Sequence, residues 1–396
     1  METETETETE LARRCRNLPE SLVEEIISWL PVQYLNQFKL VSKSWKSLIN
    51  DPTFVSKHLH NRISDNNILS PTCLVFSSSE WFYSLNMYDD EGSSSRMSQV
   101  SRYFRLKSEE AFMNLVCHCN GIVCSVFRID DDRYLFILSN TAIKKRRRLP
   151  EPSFLGYLDI LGMGLCYDAK AKDYKLIGFA VAWSESVQGY IPKAEMYSLS
   201  TDSWREINID IELESFMYVG REVFSEGVLY WNVWNPDNQI LTFNVVDEEF
   251  DMFPVPDPLR MVESETLSLG LWNECVVLFS YQIESGAQTS IDIWMMEHYS
   301  DGVDDYFAWT NKLTIGPLRD IESPLTFWKS ENLIVKRVDG GLTSYNLRTQ
   351  KLKPLTDDGV AAGMRFEFFY VSSLVSVKGL NQSSSCPQEV QLSDIM

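Results

Sequence analysis

Histidine is scarce in this 396-residue chain: there are four, and only His118 and His298 lie beyond residue 60. An oxidase-like copper centre draws on several imidazoles, so the larger part of the sequence lacks the ligands for one. No GxSxG elbow, phosphate loop or HExxH helix occurs either. Bases are in deficit, with 36 Lys and Arg against 56 Asp and Glu, for a net charge of −20. Phosphate contacts depend on Lys and Arg, which argues against nucleic acid as a direct partner. No run approaches the roughly 20 apolar residues needed to span a bilayer, so no membrane segment is expected. The opening METETETETE is acidic and repetitive, unlike a signal peptide or an anchor. Eight cysteines without a framework of close spacings predict free buried thiols in a reducing compartment, cytosol or nucleus.

Two local clusters invite chemistry and fail to complete it. Cys117-His118-Cys119 with Cys124 offers zinc-ligand types, but alternation on a strand turns His118 away from its neighbours, and no second CxxC or HxxxH pair follows. His58 and His60, two apart on a helix, diverge by about 200°. No metal or other cofactor is therefore expected. Lys144–Arg148, KKRRR, is the one dense basic run. It reads as an exposed turn before Leu149-Pro150, with a nuclear import signal or a contact for an acidic partner as the functional alternative.

What is present begins with Leu18–Leu59, LPESLVEEIISWLPVQYLNQFKLVSKSWKSLINDPTFVSKHL. Leu22, Val23, Ile26, Ile27 and Leu30 share one helical face, with Pro19 at a first helical position and Pro31 as a stop. Leu35, Phe38, Val41, Trp45, Leu48 and Ile49 continue the pattern up to Asp51-Pro52. Three short helices are predicted, with a fourth over Phe54–Leu59. A unit of roughly 40 residues is near the lower limit for a core of its own. It cannot turn all of these side chains inward, so some are expected outside as a docking face.

From Leu69 onward the texture becomes short strand-like runs between polar turns. Strands are predicted at Cys73–Phe76, Gly121–Phe127, Tyr134–Leu138, Lys175–Val181, Val228–Val233, Cys275–Tyr281, Ile291–Met296, Leu333–Arg337 and Phe368–Val377. Glu109–Leu115 is the main helical candidate, and Asp89–Ser95 reads as a loop. Apolar residues recur at offsets of two, seven and ten around a polar turn: Tyr197, Leu199, Trp204 and Ile207; Phe243, Val245, Phe250 and Phe253; Tyr345, Leu347, Leu352 and Leu355; more loosely Tyr167, Ala169, Tyr174 and Ile177. Each set reads as a hairpin. A step of roughly 50 residues suits propeller blades of the kelch kind, six or seven of them, with a β-sandwich as the alternative. The fold class expected is α+β, mainly β: a small three-helix unit, then a large antiparallel β domain, a kelch-like β-propeller. The boundaries read as a disordered acidic tail over 1–17, the helical unit over 18–60, the β domain over 61–380 and a disordered tail over 381–396. Residues 1–60 hold nine acids and seven bases, so the rest carries 56 − 9 = 47 acids and 36 − 7 = 29 bases, or −18. That balance favours a basic partner.

The front stretch resembles an F-box, through Leu18-Pro19, Leu22, Ile26, Leu30-Pro31, Phe38, Val41, Ser42, Trp45 and Leu48. The resemblance implies docking on a Skp-family adaptor and, through it, a cullin. With Leu35 added from the apolar pattern and Ser42 left out, these residues are the expected adaptor-binding set. CNGIVC (119–124), AEMYSLSTDSWREINIDI (194–211), GVLYW (227–231), IWMMEHY (293–299) and LTIGPLRDIESPLTFWKSENLIV (313–335) resemble the F-box-associated domain of plant F-box proteins. The last is similar to the S-locus F-box group of self-incompatible plants, although ILSNTAIKKRRRLP lacks the proline usual at that turn. The function implied is substrate recognition for an SCF-type ubiquitin ligase, with a basic S-ribonuclease as a candidate target. A non-degradative scaffold is the rival reading. Trp231, Trp234, Trp272, Trp294, Trp309 and Trp328 are expected mostly in the core, with Trp234, in the Trp234-Asn235-Pro236-Asp237 loop, as the candidate substrate anchor.

Overall fold

In a computed structural model, the residues described are 19–64, 72–77, 81–87, 97–105, 112–130, 133–156, 158, 160–211, 218–234, 237–261, 266–284, 288–300, 305–356 and 365–378. The two tails and the Asp89–Ser95 loop lie outside them. The front stretch forms helices α1 (Glu20–Ser28), α2 (Val32–Phe38), α3 (Lys43–Asn50) and α4 (Pro52–Ser64). Pro19 and Pro31 each precede a helix with ψ of 139° and 143°. Pro19 is thus the cap, not the first helical residue, because its ψ is extended. Ser42 caps α3, its hydroxyl accepting from the Trp45 amide at 3.2 Å.

Ile27, Val32, Leu35, Ile49 and Phe54 form the helical core, and the set is completed from far along the chain by Leu374, with Ala142 and Ile143 against its edge. His58 is sealed within α4. Its Nε2–H donates to the Leu30 carbonyl at 3.0 Å, and Nδ1 finds no partner among the described residues. Burial pulls the pKa of this ring down to about 4. Burial, with the Arg221 charge nearby, likewise pulls His118 down to about 3.

The rest is strand. Among the described residues there are six four-stranded antiparallel sheets. Blades 2 to 6 follow in chain order over 112–148, 160–207, 218–254, 267–319 and 321–354, each running from its innermost strand a outward to d. Blade 1 is different. Its b, c and d strands are Thr72–Ser77, Trp81–Met87 and Met97–Arg105, while its innermost strand is Arg365–Tyr370 from the other end of the chain. The ring is therefore closed by hydrogen bonds between the first and last strands, which give blade 1 the inner strand that the start of the chain does not supply. Apolar clusters fill the gaps between blades, for example Ile177, Phe179, Leu229, Trp231 and Phe243 between blades 3 and 4. Gly164 is needed there, since a Cβ would meet the Trp231 ring at 2.8 Å.

The predicted strands fall where expected, with Gly121 in a turn. The offset repeat is the c–d hairpin of blades 3, 4 and 6, so its steps of one and two blades are explained. Asp202, Glu248 and Gln350 take positive φ (56°, 58° and 55°) at the same place in each turn. The looser Tyr167 set is instead the a–b hairpin of blade 3. Three readings need correction. The helix expected over Glu109–Leu115 is strand from Phe112, where the residues pair with blade 2's second strand; 109–111 lie outside the described residues. Lys145–Arg148 is not a turn but the outermost strand of blade 2, paired with Ile137–Asn140, and Lys144 alone of the run sits in the turn. Such a basic outer strand discourages edge-to-edge pairing. Finally, Phe368–Val377 leaves the sheet after Tyr370.

That departure makes a strap. Residues 371–377 run beneath blade 2, where buried Asn140 holds them: its Nδ2 donates to the carbonyls of Ser373 (3.1 Å) and Val375 (2.8 Å), and its Oδ1 accepts from Tyr370 Oη (3.2 Å) and the Ala142 amide (3.0 Å). Ser373 Oγ donates to the Asn120 carbonyl at 2.7 Å. Gly121, with φ of 81°, sits so close that a Cβ would fall 2.5 Å from Ser373 Oγ. Asn120-Gly121 are the second and third residues of CNGIVC, which gives that motif a structural meaning. It is the seat of the strap.

Asn140→Ala strands two buried carbonyls and is expected to cost about 2–3 kcal/mol in urea unfolding, with faster amide exchange over 371–377; unchanged exchange there would show that the strap is held elsewhere. For His58 the folded pKa lies below the unfolded one, so the unfolded chain binds the extra proton between them. Stability is complete above pH 6.5 and falls as pH drops towards 4, by up to about 3 kcal/mol at 1.36 kcal/mol per unit. His58→Gln, which keeps a donor for Leu30, should remove the His58 share of that pH dependence and leave the shares of His118 and of the carboxyls held low, Glu25, Asp168 and Glu248.

Candidate functional site

Leu22, Ile26 and Trp29 recur at i, i+4 and i+7, so they form one stripe along α1 and its C-terminal cap. They are 45%, 50% and 40% exposed. Tyr34 of α2 and Leu40 and Val41 beyond it are also exposed. The opposite face of α1 is spent on the helical core through Ile27. A surplus apolar face is thus present.

Its membership differs from the expected set. Leu22, Ile26, Val41 and Pro19 are exposed; Leu30, Pro31, Phe38, Trp45 and Leu48 are half-buried, and Leu18 lies outside the described residues. Leu35 is a correction. It is fully buried, because the seven residues of α2 turn Val32 and Leu35 inward together and leave Gln33, Tyr34 and Gln37 outside. Phe38 and Trp45 meet edge to face at 5.0 Å, which fixes the α2–α3 corner and explains their partial burial. Charge borders the stripe. Lys57 of α4 pairs with Glu24 (3.3 Å) and Glu25 (2.8 Å), and Trp29 Nε1 donates to Glu25 at 3.0 Å. Hydrogen bonds from Lys57 and Trp29 hold the Glu25 carboxyl below its usual range. Burial, with Lys46 nearby, lowers Lys39.

The helices attach to one particular end of the propeller. Asn36 Nδ2 donates to the Ala142 carbonyl at 3.0 Å, in the c–d turn of blade 2, and the strap crosses the a–b turn of the same blade. Asn120 of that a–b turn donates to Tyr174 Oη at the a–b end of blade 3, at 3.3 Å, and Arg147 pairs with Asp202 in the c–d turn of blade 3. In an antiparallel blade the b–c turns lie at the other end. They therefore open away from the helices.

Trp234 ends the b strand of blade 4 at that far end but is half-buried, and Asn235-Pro236 lie outside the described residues. Trp231 and Trp328 are buried as expected, and Trp272, Trp294 and Trp309 are half-buried. Cys117, Cys119, Cys124 and Cys166 are buried thiols whose pKa values burial pushes up for Cys117, Cys119 and Cys166. Among the described residues no three His, Cys, Asp or Glu side chains stand close enough to share a metal ion, and no helix is long and apolar enough to cross a membrane.

Sequence reasoning passed over a ribbon on blade 3. Strand b, Asp173–Ser184, and strand c, Gly189–Ser198, continue as a pair beyond both neighbours, since the a strand reaches only Ala180 and the d strand only Ala194. Trp183 and Tyr190 face each other across this ribbon, 56% and 65% exposed, with ring centroids 5.3 Å apart at 79°. The root of the ribbon is rigid. Buried Glu195 accepts from the amides of Ser153 (2.8 Å), Phe154 (3.2 Å) and Leu155 (3.0 Å). The alternation Ile177, Phe179, Val181, Trp183 was readable in sequence; that the a and d strands stop short of its end was not.

Similarity to known proteins maps onto this geometry. The F-box domain family matches residues 16–57, and the F-box associated beta propeller domain family matches 73–377. The F-box/kelch-repeat protein At3g23880 of Arabidopsis thaliana is 26% identical over 376 residues, covering 92% of this chain and 97% of that protein. The F-box protein At2g07140 of Arabidopsis thaliana is 25% identical over 319 residues, 77% and 78% of the two chains. Among solved structures, TolB from Acinetobacter baumannii aligns over 80% of this chain and 73% of its own at 9% identity and a TM-score of 0.43. The chain belongs to the F-box associated beta propeller family, with an F-box domain carried in front of its propeller.

Proposed function

We propose that this protein is the substrate receptor of an SCF-type ubiquitin ligase. Its helices dock on a Skp-family adaptor, which binds a cullin, and its propeller holds a target protein for ubiquitination and proteasomal degradation. The supporting observation is the Leu22–Ile26–Trp29 stripe, left open although the helical unit draws Leu374 from the propeller side to complete its core. Three helices and their loops are large enough for a share of an interface of about 1,200–2,000 Å². The receptor does no covalent chemistry in this reading. It acts by raising the local concentration of target lysines near a ubiquitin-charged enzyme. The similarity of 313–335 to the S-locus group, with the acidic propeller, makes a basic S-ribonuclease a candidate target in self-incompatibility. The proposed compartment is cytosol or nucleus.

Leu22→Ala/Ile26→Ala removes exposed side chains, so stability should stay within about 0.5 kcal/mol per site while recovery of the adaptor in a pull-down falls at least roughly tenfold, about 1.4 kcal/mol. Leu35→Ala is the contrast: about 2–5 kcal/mol of destabilisation, lowering recovery only as the fold is lost. Equal recovery by wild type and the Leu22/Ile26 variant would rule out docking through this stripe and return the scaffold reading.

A further inference from the structure

Among the described residues, no buried apolar cluster takes up the side chains of the ribbon at residues 181–192. Four register pairs, Val181↔Pro192, Ala182↔Ile191, Trp183↔Tyr190 and Ser184↔Gly189, stand clear of the a and d strands of their own blade. At about 3.4 Å per residue this is a projection on the order of 14 Å. Alternation puts Val181, Trp183, Tyr190 and Pro192 on one side of it, the side that lower down buries Ile177 and Phe179 against blade 4. The apolar row therefore runs out of the inter-blade core and into solvent, ending in two aromatic rings with Val187 exposed at the tip. An isolated two-stranded ribbon is marginal by itself. Here Glu195 and the Lys193–Glu206 pair at 2.6 Å hold its root in a fixed pose.

Charge identifies what would cover it. Between 181 and 192 the only ionisable acid or base is Glu185, exposed at the tip, apart from the Tyr190 phenol. Residues 61–396 as a whole carry 47 acids and 29 bases. A hydrophobic partner without charge would gain nothing from that field, and an acidic one would be repelled. A lysine or arginine side chain instead finds aromatic faces for its cation and a carboxylate beside them. The position suits a client: the tip is a b–c turn, at the end of the propeller opposite the helices.

We propose that the Trp183–Tyr190 ribbon is the target-docking element of this propeller and that its occupant is a basic, Lys- or Arg-bearing segment of another protein, laid across the two rings with Glu185 at its flank. The proposal rests on the receptor reading above and gives it a client-binding site.

The test is selection of a phage-displayed random peptide library on the full chain, in parallel with the variants Trp183→Ala/Tyr190→Ala and Glu185→Gln. Peptides selected on wild type should be enriched in Lys and Arg over the starting library. Individual clones should bind the double alanine variant about twofold to fivefold more weakly for each ring removed, and the Glu185 variant more weakly at low salt only. Both variants change exposed residues, so thermal unfolding and adaptor recovery from the same preparations should match wild type. A wild-type pool without cationic enrichment overturns the proposal. So does enrichment that persists unchanged on the double variant, which would place capture elsewhere on the acidic surface. Self-association of the wild type that the double variant abolishes, read by sedimentation, would make a second copy the occupant and equally overturn it. Failure of wild type to recover adaptor would instead count against the receptor reading, whatever the peptides show.

Discussion

Ring closure by the last strand is the constraint on which the rest of the molecule depends. Blade 1 has no inner strand until Arg365–Tyr370 arrives, so nearly the whole chain must be made before the ring can close. The same arrival delivers the strap. Tyr370 ends the strand and at once hydrogen-bonds Asn140; Ser373 and Val375 follow onto the same amide, and Leu374 enters the core of the front helices. One short segment thus closes the propeller, caps blade 2 and fixes the helical unit to it.

The blades are joined by a second device, which the aromatic content supplies. Indole N–H groups donate across or beside blade gaps: Trp231 to the Met163 carbonyl at 3.0 Å, Trp272 to Ser330 at 2.9 Å and Trp204 to Pro150 at 2.8 Å. A tryptophan suits this work because its body fills an inter-blade wedge while its single donor finds a backbone acceptor. Ion pairs add to it. Lys175, nearly buried, reaches Asp168 at 2.8 Å in its own blade and Glu248 at 3.1 Å in the next. Most conspicuous aromatic residues are therefore used in holding blades together, and the exposed pair on blade 3 stands apart from them.

The architecture also separates two surfaces. The Asn36–Ala142 bond and the strap put the helices at the a–b and c–d end, and the alternation of an antiparallel meander then sends every b–c turn to the other. A partner of the helices and a partner of the ribbon would be held apart by the thickness of the propeller. With the strap hydrogen-bonded to blade 2 and packed through Leu374 into the helical core, the geometry between them is set by folded contacts instead of by a linker.

Much of this was legible in residues 18–60 and in the repeat. Short-range spacing places helices and hairpins, because 3.6-residue and two-residue periods are local properties of the backbone, and the c–d hairpins repeat one turn geometry through Asp202, Glu248 and Gln350. The presence of a surplus apolar face followed too, from more grease than a small unit can bury. Which residues make up that face did not follow. Leu22 and Leu35 look alike in sequence; one is open and the other sealed, because burial is decided by what arrives from far along the chain, Leu374 and the blade 2 turn it lies upon. Lys145–Arg148 becomes a strand for the same reason: Ile137–Asn140 offers it a free edge, and pairing overrides a composition that reads as a turn. The order of elements was written locally, and their neighbours, hence their exposure, were chosen only when the ring closed.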